Sequence, residues 1–244
     1  MALVDFQTAL GRLVGTQNGT DPFRGLNLDI GETSNIQALQ ETAGFVFCRS
    51  IQRSWCIGRA AKSAQLTLSL LQENERQELL DEWIDSGAGT QSFYDAQAES
   101  FLDFISRRLV SPSHQLSICQ LEQATLRAGE GRNYFAPPDD ASLGNPDCVL
   151  RRGRHAGLVE FYAEPNQLLE SMQNHEALPP LSSEATPVFL GPGVEQFCYA
   201  PAPAEVALWH SLENDHSVRA LLSEGHAQET LEKLLTYSII EHAD

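Results

Sequence analysis

The spacing of apolar residues changes once along this chain, and that change limits the folds open to it. Up to residue 128 the apolar positions recur every three to four residues, as on one face of a helix. Val4, Phe6, Leu10, Leu13 and Val14 form the first such set. Ile36, Leu39, Ala43, Val46 and Phe47 form a second, and Phe93, Ala96, Phe101 and Phe104 another. Leu116, Cys119, Leu121, Ala124, Leu126 and Ala128 follow behind Pro112, with Ser113 as the expected cap. Residues 129–146 are turn-rich, holding Pro137-Pro138-Asp139-Asp140 and Gly144-Asn145-Pro146. After them, residues 157–164 alternate as a strand does. At 244 residues the chain has room for two modest domains. The fold expected is α+β and mostly α: a helical bundle over 1–130, a linker over 131–155, and a small sheet plus three helices over 156–244.

Within the bundle, Thr33 or Ser34 is expected to cap a helix that runs on unbroken, or with a break near Gly58. Asn74 is expected to cap residues 75–84, and Thr90 to open the helix that Pro112 ends. Past the linker, Pro165 starts a short helix carrying Leu168, Leu169 and Met172. Residues 188–190 and 194–199 read as strand–turn–strand around Gly191-Pro192-Gly193. Pro203 then opens a helix bearing Val206, Leu208, Trp209 and Leu212. Ser217 caps a second, with Val218, Leu221 and Leu222, which Gly225 ends. Leu231, Leu234, Leu235 and Ile239 mark one face of a third. Two strands followed by three small helices outline a winged-helix-like domain.

The formal net charge is −17, which opposes binding to phosphate backbones or anionic membranes. From Gly157 onward there are 14 acids and two bases, Arg219 and Lys233. Bases collect instead at Arg49, Arg53, Arg59 and Lys62. These four read either as a solvated face or as a surface for a carboxylate or a partner protein. No apolar run approaches the length of a membrane span, and the N-terminus lacks a basic signal region, so the expectation is a cytoplasmic protein. Five cysteines without Cys-x-x-Cys spacing suggest neither a disulfide framework nor a zinc site. The seven histidines form no i, i+4 pair, and the common phosphate-loop, hydrolase and zinc-protease motifs are absent. Cys48, Cys56 and Cys119 read as buried helix-face residues, with a thiol enzyme as the competing reading.

The residues following Pro112, with Leu121, Glu122, Ala124 and Ala128, resemble a helix of a family loosely labelled DNA-binding. Its members include accessory proteins for ribosomally made peptide natural products. Gly157-Leu-Val-Glu-Phe-Tyr-Ala-Glu-Pro, Leu178-Pro-Pro, Phe189-Leu-Gly-Pro-Gly and Ala204-Glu-Val-Ala-Leu-Trp are similar to the same group. Residues 208–241 also resemble the helical half of PqqD-like peptide-recognition elements. The closest similarity is to partner subunits of the 3-thiaglutamate pathway, and more distantly to the methanobactin partner subunit. The resemblance implies a non-catalytic protein that binds a precursor peptide. It also implies a heterodimer with an iron-dependent TIM-barrel oxygenase that modifies a peptide cysteine, the iron lying in the partner and no cofactor in this chain. A peptide would add to the small sheet, in a groove between Val194, Phe197 and Tyr199 on one side and Leu231, Leu234 and Leu235 on the other. The alternative is a winged-helix DNA-binding regulator. Against it, the last helix carries Glu229 and Glu232 beside its one base, Lys233.

Overall fold

A computed structural model describes residues 3–15, 21–86, 95–135, 143–195 and 198–243. The chain is α+β and mostly helical, and it divides into two compact units at Leu109 and Val110. Among the described residues no helix is long and apolar enough to cross a membrane.

The first unit is helical: α1 (Leu3–Gly15), α2 (Ile30–Gln40), α3 (Ala43–Ser63), α4 (Gln65–Ser69), α5 (Glu73–Asp85) and α6 (Asp95–Ser106). Carboxylates start two of these helices. Asp29 Oδ1 accepts from the Glu32 N–H at 2.7 Å while Glu32 accepts from the Asp29 N–H at 3.0 Å. This capping box, rather than Thr33 or Ser34, opens α2. Glu75 accepts from the Gln72 N–H at 3.1 Å, so α5 begins ahead of the expected cap Asn74. The long helix passes through Gly58 without interruption. The break falls at Thr42, whose hydroxyl accepts from the Phe45 N–H and starts α3 afresh. That restart changes the rotational phase. Ile36 and Phe45 are buried with Ala9 and Leu13, whereas Val46 and Phe47, expected on the same apolar stripe, are exposed. Trp83 of α5 and Phe101 of α6 pack with ring centroids 5.1 Å apart. Thr90 and Phe93 lie outside the described residues.

The second unit opens with α7 (His114–Arg132), capped by Ser113 as its sequence indicates. Its apolar spacing continues that of the bundle, yet it belongs to the second unit. It packs instead across β2 (Gly157–Phe161), with Ser117 Oγ donating to the Glu160 carbonyl at 2.7 Å. The approach is close. A Cβ on Gly157 would sit 2.8 Å from the Ala124 Cβ, so only glycine fits there. β2 pairs antiparallel with β3 (Thr186–Leu190) from Gly157↔Leu190 to Phe161↔Thr186. Between them runs α8 (Pro165–Asn174), with proline in its first turn.

The remaining elements are α9 (Pro203–Ser211), β4 (His216–Ser217), α10 (Val218–Ser223), α11 (Gln228–Thr236) and β5 (Ile240–His242). Ser217 caps α10, and Gly225, at φ +95°, turns the chain out of it. β4 and β5 do not pair with each other. Both pair antiparallel with β1 (Val149–Arg152), giving the order β4-β1-β5. β1 lies inside the stretch read as linker, so residues 149–152 are the centre of a sheet. Leu150, Phe189, Leu208, Leu212, Leu221, Leu231, Leu234 and Ile239 form the core of the unit.

Candidate functional site

The second unit carries an open groove of about 950 Å³. Arg132, Val194, Cys198, Tyr199, Thr236 and Tyr237 are among its lining residues. One wall is formed by the segment that follows β3, from Pro192 to Glu195 with Cys198 and Tyr199. Phe189 and Tyr199 exchange backbone hydrogen bonds at 2.8 and 2.9 Å, which is the one bridge to β3 among the described residues of 194–199. Among the described residues the second strand of the expected hairpin makes this single contact, and β2 supplies the partner along the length of β3. The groove floor is held by the Gly193 N–H, which donates to the Tyr237 carbonyl at 3.2 Å. Tyr199 and Tyr237 stack at a tilt across it, 5.2 Å between centroids.

This geometry corrects part of the expected site. Val194 and Tyr199 line the groove, and Phe197 lies outside the described residues. Leu231, Leu234 and Leu235 do not line it. They are 0%, 0% and 4% exposed within the core. Their helical stripe is the inner face of α11, turned toward β1, α9 and α10, because those elements require an apolar cover. The wall facing Val194 and Tyr199 is instead the C-terminal end of α11, at Thr236 and Tyr237.

Behind Tyr199 lies a charged network. Glu205 is 3% exposed and accepts from the Tyr199 hydroxyl and the Ala202 N–H, both at 2.6 Å. Lys233 of α11 lies 2.9 Å from Glu205 and also donates to the Tyr199 hydroxyl. Burial alone would push the Glu205 carboxyl up. Hydrogen bonds from Tyr199, Lys233 and Ala202 outweigh it and hold the carboxyl below its ordinary value. Burial, then the bond to Glu205, raises the Tyr199 phenol. The bonds to Tyr199 and Glu205 raise the Lys233 ammonium. The network fixes the Tyr199 ring at the groove and joins α9 to α11 beneath it.

Neither protein-family models nor curated proteins gave a match to this chain.

In the first unit, the basic residues of α3 separate into different roles. Arg53 is buried and ion-paired to Asp81 at 3.3 Å and to Asp85, so it ties α3 to α5. Arg49 shares that face, as its spacing predicts. Burial, then the nearby Arg53 charge, lowers its guanidinium while Asp85 works the other way. Arg59 is half-buried and Lys62 exposed. The outward face of α3 is apolar instead: Phe47, Ile51 and Trp55, four residues apart, are 65%, 52% and 60% exposed. Trp55 lies on this stripe and not in the core. Trp209 is a core residue, stacked on Phe189 at 5.4 Å with the Arg152 guanidinium 4.8 Å from its ring.

Among the described contacts, Cys48, Cys56 and Cys119 show no pairing with a histidine. Cys56 receives hydrogen bonds from Gln52 and Gln97, and burial raises its thiol. Cys119 is fully buried, and His114 bonds the Pro179 carbonyl at 2.8 Å instead. The structure pairs a different cysteine. Cys148 Sγ lies 2.9 Å from His242 Nδ1. These residues are 94 positions apart, and no local pattern signals their meeting. Among the described residues no three His, Cys, Asp or Glu side chains are grouped to hold a metal ion.

Proposed function

We propose that this protein is a peptide-binding subunit that acts through a second protein, an iron-dependent enzyme that modifies a cysteine of the bound precursor peptide. The groove beside β3 carries this reading. It is open, and it presents Val194, Tyr199 and Tyr237 beside the Arg132 guanidinium. Such a surface suits an extended segment with apolar side chains and an acidic group. We read α9, β4, α10, α11 and β5, with β1 between β4 and β5, as a winged-helix-like recognition element. The DNA-binding alternative is disfavoured because Lys233, the one base of α11, is engaged by Glu205 and Tyr199.

The exposed stripe of Phe47, Ile51 and Trp55 supports a protein partner, since aromatic anchors carry much of the energy of protein interfaces. Lys62 is exposed on the same helix, which suits an acidic group on the partner at that end.

The test is co-purification with an iron-dependent peptide-modifying enzyme, with precursor peptide added. A one-to-one complex, iron in the partner alone and turnover requiring both chains is the expected result. A chain that never associates, or that turns over peptide unaided, would overturn the reading. Trp55→Glu should weaken the complex roughly 30-fold, the effect of losing an anchor worth about 2 kcal/mol. Tyr237→Ala should weaken peptide binding about tenfold, near 1.4 kcal/mol, and leave partner affinity intact. Titration calorimetry on the two variants separates the two surfaces.

A further inference from the structure

We propose that Cys148 is the reactive thiol of this chain, with His242 as its base, and that it exchanges with small, unhindered disulfides. The pairing follows from strand register. β1 and β5 run antiparallel with Leu150 opposite His242. Cys148 continues the line of β1 two residues earlier, so it is the diagonal neighbour of His242 on the same face. The 2.9 Å contact between Sγ and Nδ1 is the outcome.

Both residues are held by their backbones. The Cys148 N–H donates to the Asn145 carbonyl at 3.1 Å, and the Cys148 carbonyl accepts from the Val218 N–H at 2.8 Å. Next to His242, the Ala243 N–H donates to the Val149 carbonyl at 2.9 Å. The imidazole is committed to the sulfur as well. Its Nε2 is buried and has no hydrogen-bond partner among the described groups. Among the described groups the thiol is the ring's one polar contact, and a thiol adjoining an imidazole is the arrangement that activates sulfur as a nucleophile.

The surrounding charges are engaged elsewhere. Asp147 pairs with Arg219 at 2.9 Å, and Glu241 with Arg151 at 2.8 Å and Arg154 at 3.2 Å. His216, opposite Leu150 on β4, lies 3.9 Å from Glu224. None of these contacts takes His242 from the sulfur. Cys148 is also partly exposed as a residue, whereas Cys56 and Cys119 are buried.

In the step, His242 Nδ1 takes the Cys148 proton and the thiolate attacks one sulfur of a disulfide R–S–S–R. The Cys148 S–S bond forms, the R–S–S–R bond breaks, and the departing RS⁻ takes the proton from His242 to leave as RSH. The disulfide is the oxidant and is consumed. An excess of free thiol reverses the exchange and restores Cys148.

The test uses glutathione disulfide as the probe on the full chain, followed by peptide mapping by mass spectrometry. Cys48 is the internal control. It is exposed on α3, and the first histidine in the sequence is His114, so its unit contains no imidazole. At about pH 6, where an ordinary thiol is scarcely ionised, Cys148 should gain the adduct about tenfold faster than Cys48. His242→Gln should remove that advantage and leave the Cys48 rate unchanged. A first adduct on any other cysteine, or an unchanged Cys148 rate in His242→Gln, would overturn the proposal. The comparison within the unaltered protein decides the question even if the variant does not fold.

Discussion

Replacing Leu234 by alanine should destabilise the protein by about 2–5 kcal/mol, the cost of emptying a well-packed leucine site. Leu234 is fully buried among Leu231, Leu235, Leu208 and Leu221, in the core that joins α9, α10 and α11 to the sheet. Removing its branched end leaves a cavity bounded by three helices that cannot close on one side without opening on another. Chemical denaturation should show a lower midpoint with little change in slope. The experiment also separates two roles for the same residue. If Leu234 lined a peptide groove, its loss would lower peptide affinity and spare stability. From its burial the reverse is expected: reduced stability, and unchanged affinity under conditions where the variant remains folded.

The second large effect is expected at Glu205. Glu205→Gln keeps the size of the side chain and an acceptor for Tyr199, and removes the charge that Lys233 meets. Because Lys233 is about half exposed, the loss is moderated by solvent and is expected at about 2 kcal/mol. The pH dependence has a defined sign. The Glu205 carboxyl is held below its ordinary value of 4.5, so its contribution is full above that pH and fades as the pH falls through the depressed folded value. The Lys233 ammonium is raised above 10.5, so its contribution is present below that pH and is lost as the pH rises through the higher folded value. The stability gap between the natural protein and the variant should be widest across the neutral range and close at both ends. Thermal melts of the two proteins from acid to alkaline pH check this. A constant gap at every pH would mean that the network contributes through shape and not through charge.

What could be read in the sequence was chemistry confined to a few neighbouring residues. Ser113 and Ser217 open helices because a hydroxyl can reach a backbone N–H three residues on. Pro165 and Pro203 begin theirs because a first-turn residue needs no N–H to donate. Gly225 leaves α10 through a backbone conformation that favours glycine. What could not be read depended on residues far apart. Arg53 looks like a surface base until α5 brings Asp81 and Asp85 beside it. The leucine stripe of α11 is the same pattern whether it faces a ligand or a core, and only the placement of α9, α10 and β1 decides. The real groove wall, Thr236 and Tyr237, carries no periodic signal because it is a helix end. Cys148 and His242 meet only through the register of β1 with β5.

The position of β1 also bears on how the chain must be made. Arg151 lies 90 residues before its partner Glu241. At ribosomal speeds of about 5–20 residues per second, the middle strand waits roughly 5–18 s for that neighbour to emerge. The entropy of closing so long a loop grows only slowly with its length, but until β4 emerges the strand has unpaired edges on both sides, and until β5 emerges it has one. A strand of four apolar residues in that position would invite pairing with other chains. This one reads Val-Leu-Arg-Arg. Its two arginines keep the nascent edge charged and hydrated. Once the sheet closes they find their partners, Arg151 on Glu241 and Arg152 on the Trp209 carbonyl. The same two charges guard the strand during synthesis and anchor it afterwards.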